Sequence, residues 1–221
     1  RNGLAATSNN SYGYFGGGYT PSSTAVVNRF DFFSETFSAP GNDLTQARGS
    51  LAALSNSSYG YFGGGNAPPA VDTIDRIDFS NETTSAPGNN LPQGRNGLAA
   101  VSGGASYRIK GSRTYGYFGG GDTAPGAPGS VATVDRIDFS NETTSAPGNN
   151  LTQARNNLAA TESSFYGYFG GGYPGPVSTV DRIDFSNETT SVPGNNLPQA
   201  RWGLAAVSSS SYGYFGGGYA P

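Results

Sequence analysis

Aromatic and small residues alternate along short stretches of this chain, and the stretches recur. In "YGYFGG", at 59–64, a period of two places Tyr59 and Tyr61 on one face of a strand and Gly60 and Phe62 on the other. The glycine leaves a slot into which a neighbouring sheet can press. In the segment around "DRIDFS" the same period sends Ile77 and Phe79 one way and Arg76 and Asp78 the other. Two further segments complete the unit, a small apolar one of the type "GLAAVS" and a short one of the type "TTSAP". Gly and Pro clusters punctuate all four, and nothing carries the period of about 3.6 residues that marks a helix. The pattern therefore predicts four short strands, A to D, per unit. The "SNET" between C and D has turn chemistry, with Asn81 in a capping or strained conformation.

The unit recurs along the whole chain. The arginine opening "RNGLAA" stands at Arg1, Arg48, Arg95, Arg155 and Arg201 with small variations, in steps of 47, 47, 60 and 46 residues. A second module, found almost verbatim as "VDRIDFSNETTSAPGNNLPQAR" at 134–155 and 180–201 and in an earlier version at 74–95, precedes each arginine after the first, and its most drifted copy is "VNRFDFFSETFSAPGNDLTQAR" at 27–48. A period of this length belongs to propeller blades or solenoid coils. Solenoid coils are usually shorter and more uniform, whereas four-stranded units with small residues on one side and rings on the other suit a radial propeller. Strand A would line a narrow channel and the aromatics would fill the wedge between blades. The expected architecture is all-β, a single β-propeller over 1–221, with blades at about 1–47, 48–94, 95–154 and 155–200 and a partial one at 201–221. Four full blades plus two strands of a fifth fit a five-bladed ring or a segment of a larger one.

An arginine opening strand A, a double glycine closing strand B and an Asp followed by a turn after strand C occur in the third copy as Arg95, Gly119-Gly120 and Asp138. In these marks, which cover essentially the whole length, the chain resembles the kelch-repeat β-propellers. Kelch units usually carry a Trp in strand D, where this chain has Thr84, Thr144, Thr190 and Phe37, so the resemblance implies a kelch-like unit rather than a standard one. The wording of the repeats also resembles the long repeat proteins encoded by marine cyanophages, which implies a virion or tail-fibre component.

Composition narrows the function classes. Gly (35) and Pro (14) are abundant and charged residues make up only 12%, but 14 Tyr, 13 Phe and one Trp supply the apolar area that a folded chain needs. The net charge of −3 offers no field to hold a nucleic acid. Cys, Met and His are absent, which removes the usual transition-metal sites, disulfide staples and Ser-His or Cys-His nucleophile pairs. No apolar run approaches the length of about 18 residues expected of a membrane-crossing helix. A chain that opens on Arg1 in mid-motif reads as an excerpt of a longer polypeptide.

The charges are mostly periodic too. Arginines recur at the start of strand A and in strand C (Arg29, Arg76, Arg136, Arg182), and aspartates at Asp31, Asp78, Asp138 and Asp184, which suggests a lattice of charge-assisted hydrogen bonds holding strands or blades in register. Repeated carboxylates in like environments are poor acid–base pairs, since catalysis needs their pKa values to diverge. Asp75, Asp78, Asn81 and Glu82 lack the spacing of a calcium loop. Recognition is therefore expected where the repeat is broken. The basic residues outside the repeat, Arg108, Lys110 and Arg113, lie in an insertion between strands A and B of the third unit. The loops between strands B and C are the second variable set, and carry Tyr19, Tyr173 and Tyr219 toward the opposite end, beside the channel mouth. The expected protein is non-enzymatic, without cofactor or metal. It is a structural or adhesion propeller on a virion or cell surface, binding a glycan or protein partner through its loops, with other subunits of an assembly as further partners and no nucleic acid or membrane insertion. The alternative is an intracellular kelch-type protein-interaction scaffold. A glycosidase would need Asp122 and Glu162 at one mouth, and the strand order sets them far apart.

Overall fold

The computed structural model describes residues 1–103, 114–123, 129–209 and 211–220. All regular structure among them is β. The first sheet is made of β1 (Ala5–Ser8), β2 (Tyr12–Gly16), β5 (Val27–Asp31) and β6 (Thr36–Ser38), and the loop after β2 carries a small hairpin of β3 (Tyr19–Thr20) and β4 (Ser22–Ser23). The second is β7 (Ala52–Ser55), β8 (Tyr59–Gly63), β9 (Ile74–Asp78) and β10 (Thr84–Ser85). The third is β11 (Ala99–Gly103), β12 (Tyr115–Gly119), β13 (Val134–Asp138) and β14 (Thr144–Ser145). The fourth is β15 (Ala159–Glu162), β16 (Tyr166–Gly170), β17 (Val180–Asp184) and β18 (Thr190–Ser191), and a two-stranded sheet of β19 (Ala205–Ser208) and β20 (Gly213–Gly216) ends the series. Within each sheet the strands run antiparallel in the order A-B-C-D, in one register throughout: Tyr61 faces Arg76 as Tyr117 faces Arg136 and Tyr168 faces Arg182. Strand D is shorter than the sequence suggests, because Pro87 and Gly88 (φ 91°) come one residue after Ser85 and cannot extend the ladder.

Neighbouring sheets approach one another chiefly through their A strands, β1 on β7, β7 on β11, β11 on β15 and β15 on β19, with further contacts from the B strands. Sheets that touch along their inner strands and diverge outward form a propeller-like series of blades, and the coils of a solenoid would instead stay in contact across their whole width. The alternation in strand B decides what fills the gaps. Phe62 projects back into the slot at Gly16, Phe118 into that at Gly63 and Phe169 into that at Gly119, where an added Cβ would lie 2.6 to 2.8 Å from the ring. Each of these Phe side chains is fully buried, a contribution of about 1.5–3 kcal/mol. Tyr61 projects forward instead, stacking on Phe139 of the next blade (5.3 Å, 20°) and donating its hydroxyl to Glu142 (3.0 Å). The pair recurs as Tyr14 on Phe79 with Glu82, and Tyr117 on Phe185 with Glu188. The triple glycine serves a second purpose at Gly64, whose φ of 65° and approach to the Arg95 carbonyl leave no room for a Cβ.

The periodic charges form two lattices. Inside a blade, the arginine that opens strand A is fully buried on the first aspartate of strand C: Arg48 on Asp75 (2.8 Å), Arg155 on Asp181 (2.6 Å) and Arg95 on Asp135. Between blades, Arg29, Arg76 and Arg136 reach the Glu of the next blade's C–D turn, each at 2.9 Å. The aspartates expected in this lattice do something else. Asp78 and Asp184 accept from the hydroxyl and backbone N–H of Ser80 and Ser186, which close the C–D turn and hold both carboxyls below the usual range. Asn81 caps the same turn by accepting from Thr83, while the left-handed backbone belongs to the next residue, Glu82 (φ 59°). That conformation costs about 1–3 kcal/mol in a non-glycine residue, and here it aims the carboxylate at the preceding blade.

Candidate recognition site on the loop rim

The loops after strand B leave one end of the blades. Each is tied by a β-bridge to the residue after a strand A arginine, pairing Asn2 with Tyr19, Gly49 with Asn66, Asn96 with Asp122, Asn156 with Tyr173, and Trp202 with Tyr219. The framework beneath is constant, and these paired positions vary in part: Asn stands at three of the first partners, with Gly49 and Trp202 as departures, and Tyr at three of the second, with Asn66 and Asp122 as departures. Chemical variety on an invariant support is the usual form of a recognition surface.

Along the last three blades the varied positions join into a strip. Trp202 stacks on Tyr219 (4.8 Å between ring centres, 25°), and Tyr173 meets the indole edge-on (6.0 Å, 63°). Tyr173 and Tyr219 are 46% and 68% exposed, so the cluster shows ring surface to solvent. Asn156, the bridge partner of Tyr173, donates its side-chain amide to Ser130 Oγ (2.9 Å) and Asp122 Oδ2 (3.3 Å). An apolar platform thus adjoins the carboxylate of Asp122 and the hydroxyl of Ser130 on one rim, both held by the buried amide of Asn156. Such a strip can stack on a flat apolar face while hydrogen-bonding the polar edge of the same ligand.

Of the residues singled out in the sequence, Tyr173 and Tyr219 fall in this cluster. Tyr19 does not, because its ring lies over Gly49 of the next blade and is half-buried there, sealing a seam. Arg108, Lys110 and Arg113 lie outside the described residues. Trp202 was not singled out in the sequence, where it stands as one variant of a drifting position in "RWGLAA"; being the chain's single Trp was the available signal.

Three other places lack the features of a reacting site. Asp122 is on this rim, whereas Glu162 ends β15 at the hairpin end, across from Gly167, so the two carboxylates sit at opposite ends of their strands. Asp75, Asp78, Asn81 and Glu82 face four different partner sets, Arg48, Ser80, Thr83 and Arg29. A cleft of about 230 Å³ between the last two sheets is lined by Tyr168, Tyr212 and Phe215 among others. It occupies the place where Phe185 covers Tyr117 one blade earlier, and is a seam with its C strand missing. No protein-family model and no curated protein matches the chain.

Proposed function

We propose that this is a non-enzymatic, kelch-like propeller that recognises a surface glycan through the loop rim of its last three blades, and that it acts as an exposed component of a virion or cell surface. The observation that carries this reading is the Tyr173–Trp202–Tyr219 cluster on the loop rim, where Trp202 departs from the Asn or Gly of the other blades and draws two exposed tyrosines together. Sugars present apolar C–H faces and hydroxyl edges together, and the strip sets rings beside the partly exposed Ser130 and Asp122, which the buried Asn156 amide holds in place. The repeated side chains are already engaged in seams and turns, which leaves recognition to the varied rim. The resemblance to cyanophage repeat proteins supports the virion setting.

A glycan array probed with the purified chain tests the reading. Binding is expected, and Trp202→Ala is expected to remove it with the melting temperature unchanged, since Trp202 is outside the buried core. Absence of any glycan ligand, or binding indifferent to Trp202→Ala, overturns it.

A further inference from the structure

The seam between the third and fourth blades holds a polar group that no other seam among the described residues repeats. Asn156, which follows the strand A arginine of the fourth blade, is 7% exposed, and its amide is fully engaged. Nδ2 donates to Ser130 Oγ (2.9 Å) and to Asp122 Oδ2 (3.3 Å), both on the third blade, and Oδ1 accepts from the Asn157 amide (2.8 Å). Gly49 and Trp202 stand at the Asn156 position beside two other seams. Beside the remaining one stands Asn96, but the preceding loop has Asn66 and Ala70 where the third blade has Asp122 and Ser130. The Asn96 amide turns instead to the backbone carbonyl of Asp122, in its own blade (3.2 Å).

The direction of these bonds fixes what the rim can offer a ligand. Ser130 Oγ accepts from Asn156 and so keeps its own proton to give, and no described residue takes that proton. Asp122 can only accept; a carboxylate has about four lone-pair positions, and Asn156 uses one of them. Both side chains are half-buried and reach the surface. The two hydrogens of a planar amide diverge, so the donor and the acceptor stand on either side of Nδ2, a spacing that suits two neighbouring hydroxyls rather than one. Tyr173 pairs its backbone with Asn156, keeps 46% of its surface exposed and meets Trp202 edge-on, so ring surface lies beside the polar pair. Resting on the glycan reading above, we propose that this seam takes a vicinal diol of a neutral pyranose: one hydroxyl donates to Asp122, its neighbour accepts from Ser130, and the sugar's C–H face lies on Tyr173. Asn156 is the positioning residue, setting the pair without touching the sugar. Acidic sugars are poor ligands here, because a carboxylate or sulfate has no proton to offer the Asp122 oxygens.

An array of neutral hexopyranosides, each beside its monodeoxy analogues, together with sialylated and sulfated oligosaccharides, tests the proposal on the whole chain. The wild type is expected to bind a neutral sugar and to lose affinity when either of two adjacent hydroxyls is removed, with the acidic glycans bound more weakly. Ser130→Ala is expected to weaken binding about 2- to 10-fold, the loss of one neutral hydrogen bond, and to become indifferent to the deoxy change at one of those two carbons. Asp122→Asn is expected to lose about 10-fold or more and to become indifferent at the other carbon. Asn156→Ala is expected to lose discrimination at both, an effect that general loosening of the fold would not confine to two hydroxyls. Ser130→Ala, at a half-exposed position, carries the test if Asn156→Ala fails to fold. Neutral-sugar binding that Trp202→Ala removes but that ignores Ser130→Ala and both deoxy changes overturns the diol assignment alone, as does a preference for acidic glycans. No binding to any glycan overturns this proposal and the glycan reading together.

Discussion

Arg48, Arg95 and Arg155 have no solvent exposure, and burial alone pulls each guanidinium's pKa down. What keeps them charged is a single facing carboxylate together with carbonyls of the same blade, such as Phe62 for Arg48 and Phe169 for Arg155. A buried pair of this kind adds little net stability, but removing one partner strands the other. Asp181→Ala is therefore expected to cost about 3–5 kcal/mol, read from the denaturant midpoint, because Arg155 stays in place without its counter-charge. The seam pairs are a weaker case. Arg136 and Glu188 keep 27% and 22% of their side-chain surface, which leaves solvent to take over part of the lost interaction. A midpoint for Asp181→Ala close to that of the wild type would mean that the buried arginines are held by carbonyls alone.

Strand B shows how one alternation serves two neighbours. Its phenylalanines belong energetically to the blade before and its tyrosines to the blade after, so the strand is a connector as much as a member of its own sheet. Slot glycines are the sensitive points. Gly119→Ala places a methyl 2.7 Å from the Phe169 ring and is expected to destabilise the chain by about 1–3 kcal/mol through overpacking. The same change at Gly216, where nothing lies within 4 Å, is expected to leave the melting temperature of the monomer unchanged. Comparing the two in one thermal scan separates an effect of the slot from the general cost of replacing glycine in a strand. Equal melting temperatures for the two variants would rule out ring-in-slot packing.

As a whole the molecule is a series in which each blade touches only its neighbours, so its stability is a sum of blade and seam terms. Blades with two completed seams should open least often. Amide hydrogen exchange is expected to be slowest in β8 and β12 and fastest in β19 and β20, where Val207 and Tyr214 lie open. Uniform protection across all five sheets would show instead that the chain opens as a single cooperative body.

Much of this was legible in the chain before any coordinates. Strand positions, the face carried by each ring and the blade-by-blade repeat follow from period-two alternation and from glycines that admit a neighbour, because both are local properties. Even the use of charge for register could be read from Arg and Asp recurring together. Which aspartate would meet which arginine could not, since Asp75 and Asp78 are three residues apart in one strand and their division between a buried pair and a turn cap depends on what packs on either side. Nor could the fate of the rim tyrosines. Tyr19 and Tyr173 look alike in sequence, but one lies over a glycine of the next blade and the other meets Trp202 some 29 residues onward. Residues that act within a strand or turn announce themselves by spacing, whereas those that act across a seam acquire their partners only when separate blades are brought together.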